Sequence, residues 1–130
     1  MANITKNFLG NELRMTGTPD GNAITNLYSL TTNSSGAVVD SNVATGIASG
    51  DVVRMGILPA GMRLDDAKTI VSTGMTATIT GKLGFAYVDG VDSTDVPQDD
   101  DYFGTGITIA TAGRYAASNT AVRPVTLPKD

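Results

Sequence analysis

The chain has 130 residues, a net charge of −4, and neither histidine nor cysteine. Its length predicts one domain able to bury a core without disulfide or metal, and the acidic balance argues against nucleic acid or an anionic membrane as a partner. The two missing residue types remove Ser-His-Asp and Cys-His dyads, thiolate nucleophiles and His- or Cys-built metal sites in one step.

Residues 1–22 are polar, lack the continuous apolar stretch of a signal peptide, and end in Thr16-Gly-Thr-Pro-Asp-Gly-Asn22, which is dense in turn formers. They read as an N-terminal arm with little core of its own, either frayed or ordered by a partner. Asn3, Phe8, Leu9 and Arg14 are its candidate interface residues. A single β-sandwich domain is expected over 23–130. It opens with Ala23 to Thr32, where Ile24, Tyr28 and Leu30 at even positions predict a strand. Asn33-Ser-Ser-Gly36 reads as a turn, Ala37-Val-Val-Asp40 as a short strand, and Ser41 to Gly50 as a link of small residues.

The longest regular pattern runs from Gly50 to Gly90. Val53, Met55 and Ile57 alternate until Pro59-Ala-Gly61 imposes a turn, because proline presets its φ and glycine accepts a positive one. Met62 to Ser72 resumes with Leu64, Ile70 and Val71. From Met75 to Val88, one side holds Met75, Ala77, Ile79, Gly81, Leu83, Phe85 and Tyr87, and the other holds Thr76, Thr78, Thr80 and Lys82. Three consecutive strands are predicted, with Val53, Ile57, Ile79, Leu83, Phe85 and Tyr87 as the core between two sheets.

Asp89 to Asp101 places Asp89, Asp92, Asp95, Asp99, Asp100 and Asp101 around Val96-Pro97 and reads as a solvated, mobile surface loop. Tyr102 to Ile109 has Phe103, Ile107 and Ile109 at odd positions, although Gly104 and Gly106 weaken it as a strand. Ala110 to Thr120 suits one helical turn or a wide loop, and Ala121 to Leu127, with Pro124 inside, suits an edge strand or a bulge. No segment sustains a 3.6-residue period and no apolar run approaches the roughly 18 residues that span a bilayer. Seven or eight short strands therefore predict an all-β sandwich or barrel.

No stretch carries a complete chemical motif. The aspartates at 89, 92 and 95 recur every third residue, whereas a calcium loop of the EF-hand type needs oxygens at alternate positions and a distal Glu. Asp65 and Asp66, beside Asp51 as a notional acid/base pair, point to opposite faces of a strand, and a glycosidase usually adds aromatic platforms that this tryptophan-free chain lacks. Gly74 to Lys82 has six residues between its glycines where a P-loop has four, and Gly104-Thr-Gly106 lacks the third glycine of a dinucleotide fingerprint. Thr76, Thr78 and Thr80 form the kind of row that ice-binding solenoids repeat over stacked strands, and here it occurs once. Arg54, Arg63, Arg114 and Arg123 are scattered; surface charge is the plain reading, and interface anchoring the sharper one, for which Arg123 is a candidate.

The run Gly50-Asp-Val-Val-Arg-Met-Gly-Ile-Leu-Pro-Ala-Gly-Met-Arg-Leu64, followed by Thr76-Ala-Thr-Ile-Thr-Gly-Lys-Leu-Gly-Phe-Ala-Tyr87, resembles the small head decoration, or cement, proteins of tailed bacteriophages. In that group a strand ending in Leu-Pro-Ala-Gly and a later Thr-rich strand ending in Gly-Phe/Tyr recur. The resemblance covers about residues 45–127 and rests on pattern, not on an invariant site. It implies a jelly-roll-like antiparallel β-sandwich, non-enzymatic and without cofactor or metal. Such a protein docks as a dimer or trimer on the major capsid protein at the outer surface of the virion, after assembly in the host bacterial cytoplasm. The alternative is a carbohydrate- or receptor-binding β-sandwich of a tail or surface appendage, disfavoured by the scarcity of aromatic rings.

The last expectation concerns Ala121 to Leu127. With only Pro128-Lys-Asp130 after it, this strand is expected to leave one side of its backbone unpaired, a template that a sister subunit or the capsid completes. Val125 and Leu127 are the interface candidates on that edge.

Overall fold

The computed structural model describes residues 1–6, 14–15, 25–75, 78–118 and 124–130. Among these the fold is all-β, with no helix. The strands are β1 (Asn3–Thr5), β2 (Arg14–Met15), β3 (Thr25–Asn26), β4 (Val52–Arg54), β5 (Arg63–Leu64), β6 (Lys68–Val71), β7 (Thr80–Phe85), β8 (Asp99–Thr108), β9 (Gly113–Ala116) and β10 (Val125–Thr126). They pair two by two: β1 with β4, β2 with β3, β5 with β10, β6 with β9 and β7 with β8. No helix among the described residues is long and apolar enough to cross a membrane. The chain divides into two compact units, Met1–Ile57 and Leu58–Asp130.

In Met1–Ile57 the first residues of the expected arm are held by pairing, while most of residues 7–24 lie outside the described residues. β1 pairs with β4 in register Asn3↔Val52, Ile4↔Val53, Thr5↔Arg54, and Ile4 is 1% exposed. One isoleucine among polar neighbours carries no visible period, yet it is enough to anchor three residues when the backbone is paired on both sides. On the second side, Asn42 donates its N–H to the Thr5 carbonyl at 3.1 Å and accepts from Thr5 N–H through Oδ1 at 2.8 Å. The β1–β4 pair is parallel, against the all-antiparallel expectation, which the long connection between them permits. β2 and β3 pair across the expected boundary at residue 22, with Arg14 opposite Asn26. The predicted strand from Ala23 shrinks to two residues; Tyr28 is half-buried, Leu30 is exposed, and Ile24 lies outside the described residues. The turn at Asn33 is present: Asn33 Oδ1 accepts from the N–H groups of Ser35 and Ala37, and a Thr32↔Val38 bridge closes it over buried Ala37 and Val38.

Of the three consecutive strands predicted, the first is β4 in Met1–Ile57; the other two, in Leu58–Asp130, do not pair with one another. Met62 to Ser72 breaks at Asp65-Asp66-Ala67 into β5 and β6, and each strand finds its partner far along the chain. The pairs are nested: β7 with β8 innermost, then β6 with β9, then β5 with β10, all antiparallel. The stretch Ala110 to Thr120, read as a helical turn or loop, contributes β9, whose small residues and Tyr115 sit opposite Lys68 to Val71. Gly104 and Gly106 do not interrupt β8, which runs ten residues.

The predicted facing of the Thr-rich strand holds where it is described. Met75, Ile79, Leu83 and Phe85 are half-buried and Tyr87 is buried, while Thr78, Thr80, Lys82 and Val88 are exposed; Thr76 and Ala77 lie outside the described residues. The predicted core is nonetheless corrected. Val53, Ile57, Ile79, Leu83 and Phe85 are only half-buried, and Val53 and Ile57 belong to the other unit. Two-stranded pairs cover a face incompletely, and the buried cluster of this unit is Leu64, Tyr102 and Leu127, with Leu58, Met62, Phe85, Phe103 and Val125 against it. Phe85→Ala is accordingly expected to cost less than the roughly 3–5 kcal/mol of a fully buried phenylalanine, as read by urea unfolding.

Candidate functional site

The sequence-predicted interface residues fall in different surroundings. Asn3 is exposed on β1, and Arg14 is placed by its backbone pairing with Asn26. Phe8, Leu9 and Arg123 lie outside the described residues. Val125 is half-buried, and Leu127 is 3% exposed, inside its own unit's core. Leu127 is thus corrected from interface to core residue.

Among the described residues β10 pairs with β5 alone, and the backbone limits what its other edge can bind. Leu127 donates to the Met62 carbonyl at 2.9 Å and accepts from Gly61 N–H at 2.8 Å, so its polar groups face β5 and the turn before it. Alternation then sends the groups of Thr126 outward. The next outward positions on either side are Pro124 and Pro128, which have no N–H. Among the described residues Thr126 alone can donate along this edge, and the prolines blunt it as a template for another strand.

The acidic stretch proves to be two structures. Asp99, Asp100 and Asp101 open β8, with carboxylate oxygens within 4.8 Å of one another. Such a set offers hard oxygen ligands, but Lys82 Nζ lies 3.2 Å from Asp100 Oδ2 and 3.6 Å from Asp101 Oδ2, so a lysine already supplies positive charge there. The pairing holds the Lys82 ammonium above its usual range, first through its hydrogen bond to Asp100. A shallow recess beside it is lined by Phe85, Ala86, Gln98, Asp99 and Asp100.

Residues 86–98 form the second structure, a loop fastened by side chains. Asp92 Oδ1 accepts from Ser93 N–H at 2.8 Å and from Gln98 N–H at 2.7 Å, and Tyr87 donates its hydroxyl to the Val96 carbonyl at 2.5 Å. Asp89 Oδ1 accepts from Val91 N–H, and its Oδ2 meets Lys129 Nζ at 2.7 Å. Lys129 and then the Val91 amide hold the Asp89 carboxyl below the usual aspartate range. The loop expected to be mobile is thus held by side-chain hydrogen bonds, and the spacing that fails for calcium suits Asp89 and Asp92, which each bind a nearby backbone N–H. Asp65 and Asp66, exposed between β5 and β6, serve locally too, accepting from Arg63 Nε at 2.6 Å and Ala67 N–H at 2.8 Å.

Aromatic packing is the feature that composition hid. The chain has three Phe and four Tyr, and four of these seven gather as Phe85, Tyr87, Tyr102 and Phe103, in edge-to-face pairs with centroids 4.9–5.9 Å apart. Asp51 was set aside as an acid and is a fastener: it accepts from Ala2 N–H at 2.7 Å and Ala48 N–H at 2.9 Å, bonds that hold its carboxyl below the usual aspartate range. A depressed folded-state value stabilises above the ordinary aspartate range and loses that contribution as pH falls through it. Asp51→Asn is therefore expected to lower the Tm at neutral pH, with the difference shrinking on acidification; a difference independent of pH overturns this assignment.

No protein family, curated protein or solved structure matches this chain.

Proposed function

We propose that this protein is a non-enzymatic structural component of a phage virion, a decoration or cement protein that binds the outer surface of the major capsid protein and braces neighbouring capsomers as a dimer or trimer. The observation that carries this reading is the nested pairing in Leu58–Asp130. A jelly roll is the form that a long antiparallel ribbon takes when wound into two sheets, and the nested antiparallel pairs β5–β10, β6–β9 and β7–β8 are compatible with that topology. It occupies the stretch whose sequence resembles head decoration proteins. The Leu-Pro-Ala-Gly segment makes the turn that Leu127 and Asp130 close, with Gly61 at φ 81°, and Gly-Phe-Ala-Tyr87 delivers two of the four clustered rings. Ile70, Val88 and Val91 are exposed apolar side chains, each 58–61% accessible, that a partner could cover.

The competing reading, a carbohydrate-binding module, needs rings laid open for stacking, whereas four of the seven pack on one another. The test is to mix the protein with phage heads assembled in its absence and image them. Stoichiometric density on the outer shell is expected; bare heads at saturating protein overturn the proposal.

A further inference from the structure

We infer that residues 128–130 act as a clasp that sets the shape of the near limb of the 86–98 loop. Lys129 holds this limb at three points: Nζ donates to Asp89 Oδ2 at 2.7 Å and to the Val91 carbonyl at 2.6 Å, and stands 4.8 Å from the centre of the Tyr87 ring. The last of these adds a cation–π attraction to the ion pair. Asp130 contributes twice more. Its carbonyl oxygen accepts from Val88 N–H at 3.1 Å, and its Oδ1 accepts from Ala60 N–H at 2.5 Å. One short segment thus ties the loop to the Pro59-Ala-Gly61 turn.

The two limbs differ in what holds them. The far limb is self-supporting through Asp92 with Gln98 N–H and Tyr87 with Val96. The near limb has within the loop the Asp89–Val91 bond, the Gly90 N–H to Tyr87 carbonyl bond and, at its base, the Tyr87 bonds to Val96 and Gln98; beyond Tyr87 its other fastenings come from Lys129 and Asp130. Val88 and Val91 stand on this limb, each 61% exposed. The clasp is what keeps those two apolar side chains at fixed places on the surface.

Amide hydrogen exchange by NMR on the full chain tests this, comparing wild type with Lys129→Met, which keeps the stem and removes the charge, and Lys129→Arg, which keeps the charge. In Lys129→Met the Val88, Gly90 and Val91 amides are expected to exchange about tenfold faster or more, as a local opening, while the Gln98 amide and those of β7 and β8 keep their protection. Lys129→Arg is expected to stay near wild type. Unchanged near-limb exchange in Lys129→Met overturns the clasp, and so does equal acceleration at Gln98, which would make the loop a single unit.

Discussion

Leu127→Ala is expected to destabilise the isolated protein by about 2–5 kcal/mol, seen as a lower urea midpoint with an unchanged slope. The side chain is 3% exposed and packs with Leu64 and Tyr102, and the same residue's backbone closes the turn at Gly61 and Met62. Truncation leaves a cavity among segments whose backbones are fixed by hydrogen bonds, so collapse around it is restricted and the cost is expected in the upper part of that range. An interface role for Leu127 makes the opposite forecast: unchanged urea unfolding of the free protein with loss of partner binding.

Gly84→Val is expected to be worse tolerated than its chemistry suggests, at about 3 kcal/mol or more. A Cβ at position 84 would clash with the Asp99 carbonyl oxygen and the Asp100 backbone, and backbone of a paired strand cannot swing aside. The pairing there is already irregular, with register shifts between Gly81 and Leu83 and between Leu83 and Phe85. The close approach at Gly84 is how β8 fits its extra residues against β7. Gly81→Ala is the control. Its Cβ meets Ile109 Cδ1 at 2.8 Å, the end of a flexible side chain, and a cost of about 1 kcal/mol or less is expected. Equal melting temperatures for Gly84→Val and wild type would show that the two strands can separate at that point.

The facing of the Thr-rich strand was legible because period-two alternation is a local signal, written in Ile79, Leu83, Phe85 and Tyr87 against Thr78, Thr80 and Lys82. Partner choice was not legible, since it depends on residues far away: nothing in Lys68-Thr-Ile-Val71 announces Gly113-Arg-Tyr-Ala116. For the same reason the core moved. Leu64, Tyr102 and Leu127 each lie in weakly patterned segments, and their burial comes from packing between segments far apart in the chain. Ile70, an apolar residue beside Val71 on a strand, had to face one way or the other, and it faces out. Among the candidate site residues, the carboxylates misled most. Asp51, Asp89 and Asp92 look like ligands in sequence and bind backbone amides in the structure, a use that leaves no spacing rule strong enough to read in advance.

The nested order of the strands also has a kinetic meaning. Joining β7 to β8 closes the shortest loop, and each later pair inherits that closure, so β6–β9 and then β5–β10 can zip outward with small further losses of chain entropy. The parallel pair of β1 and β4 is not built by such nested zipping: β2–β3 and the Thr32↔Val38 bridge shorten the path, but Asn3 must still find Val52 in a parallel register. Stopped-flow refolding should therefore separate an early rise in protection across 63–126 from a later one at Ile4 and Val53, making the first residues of the chain the last to be secured.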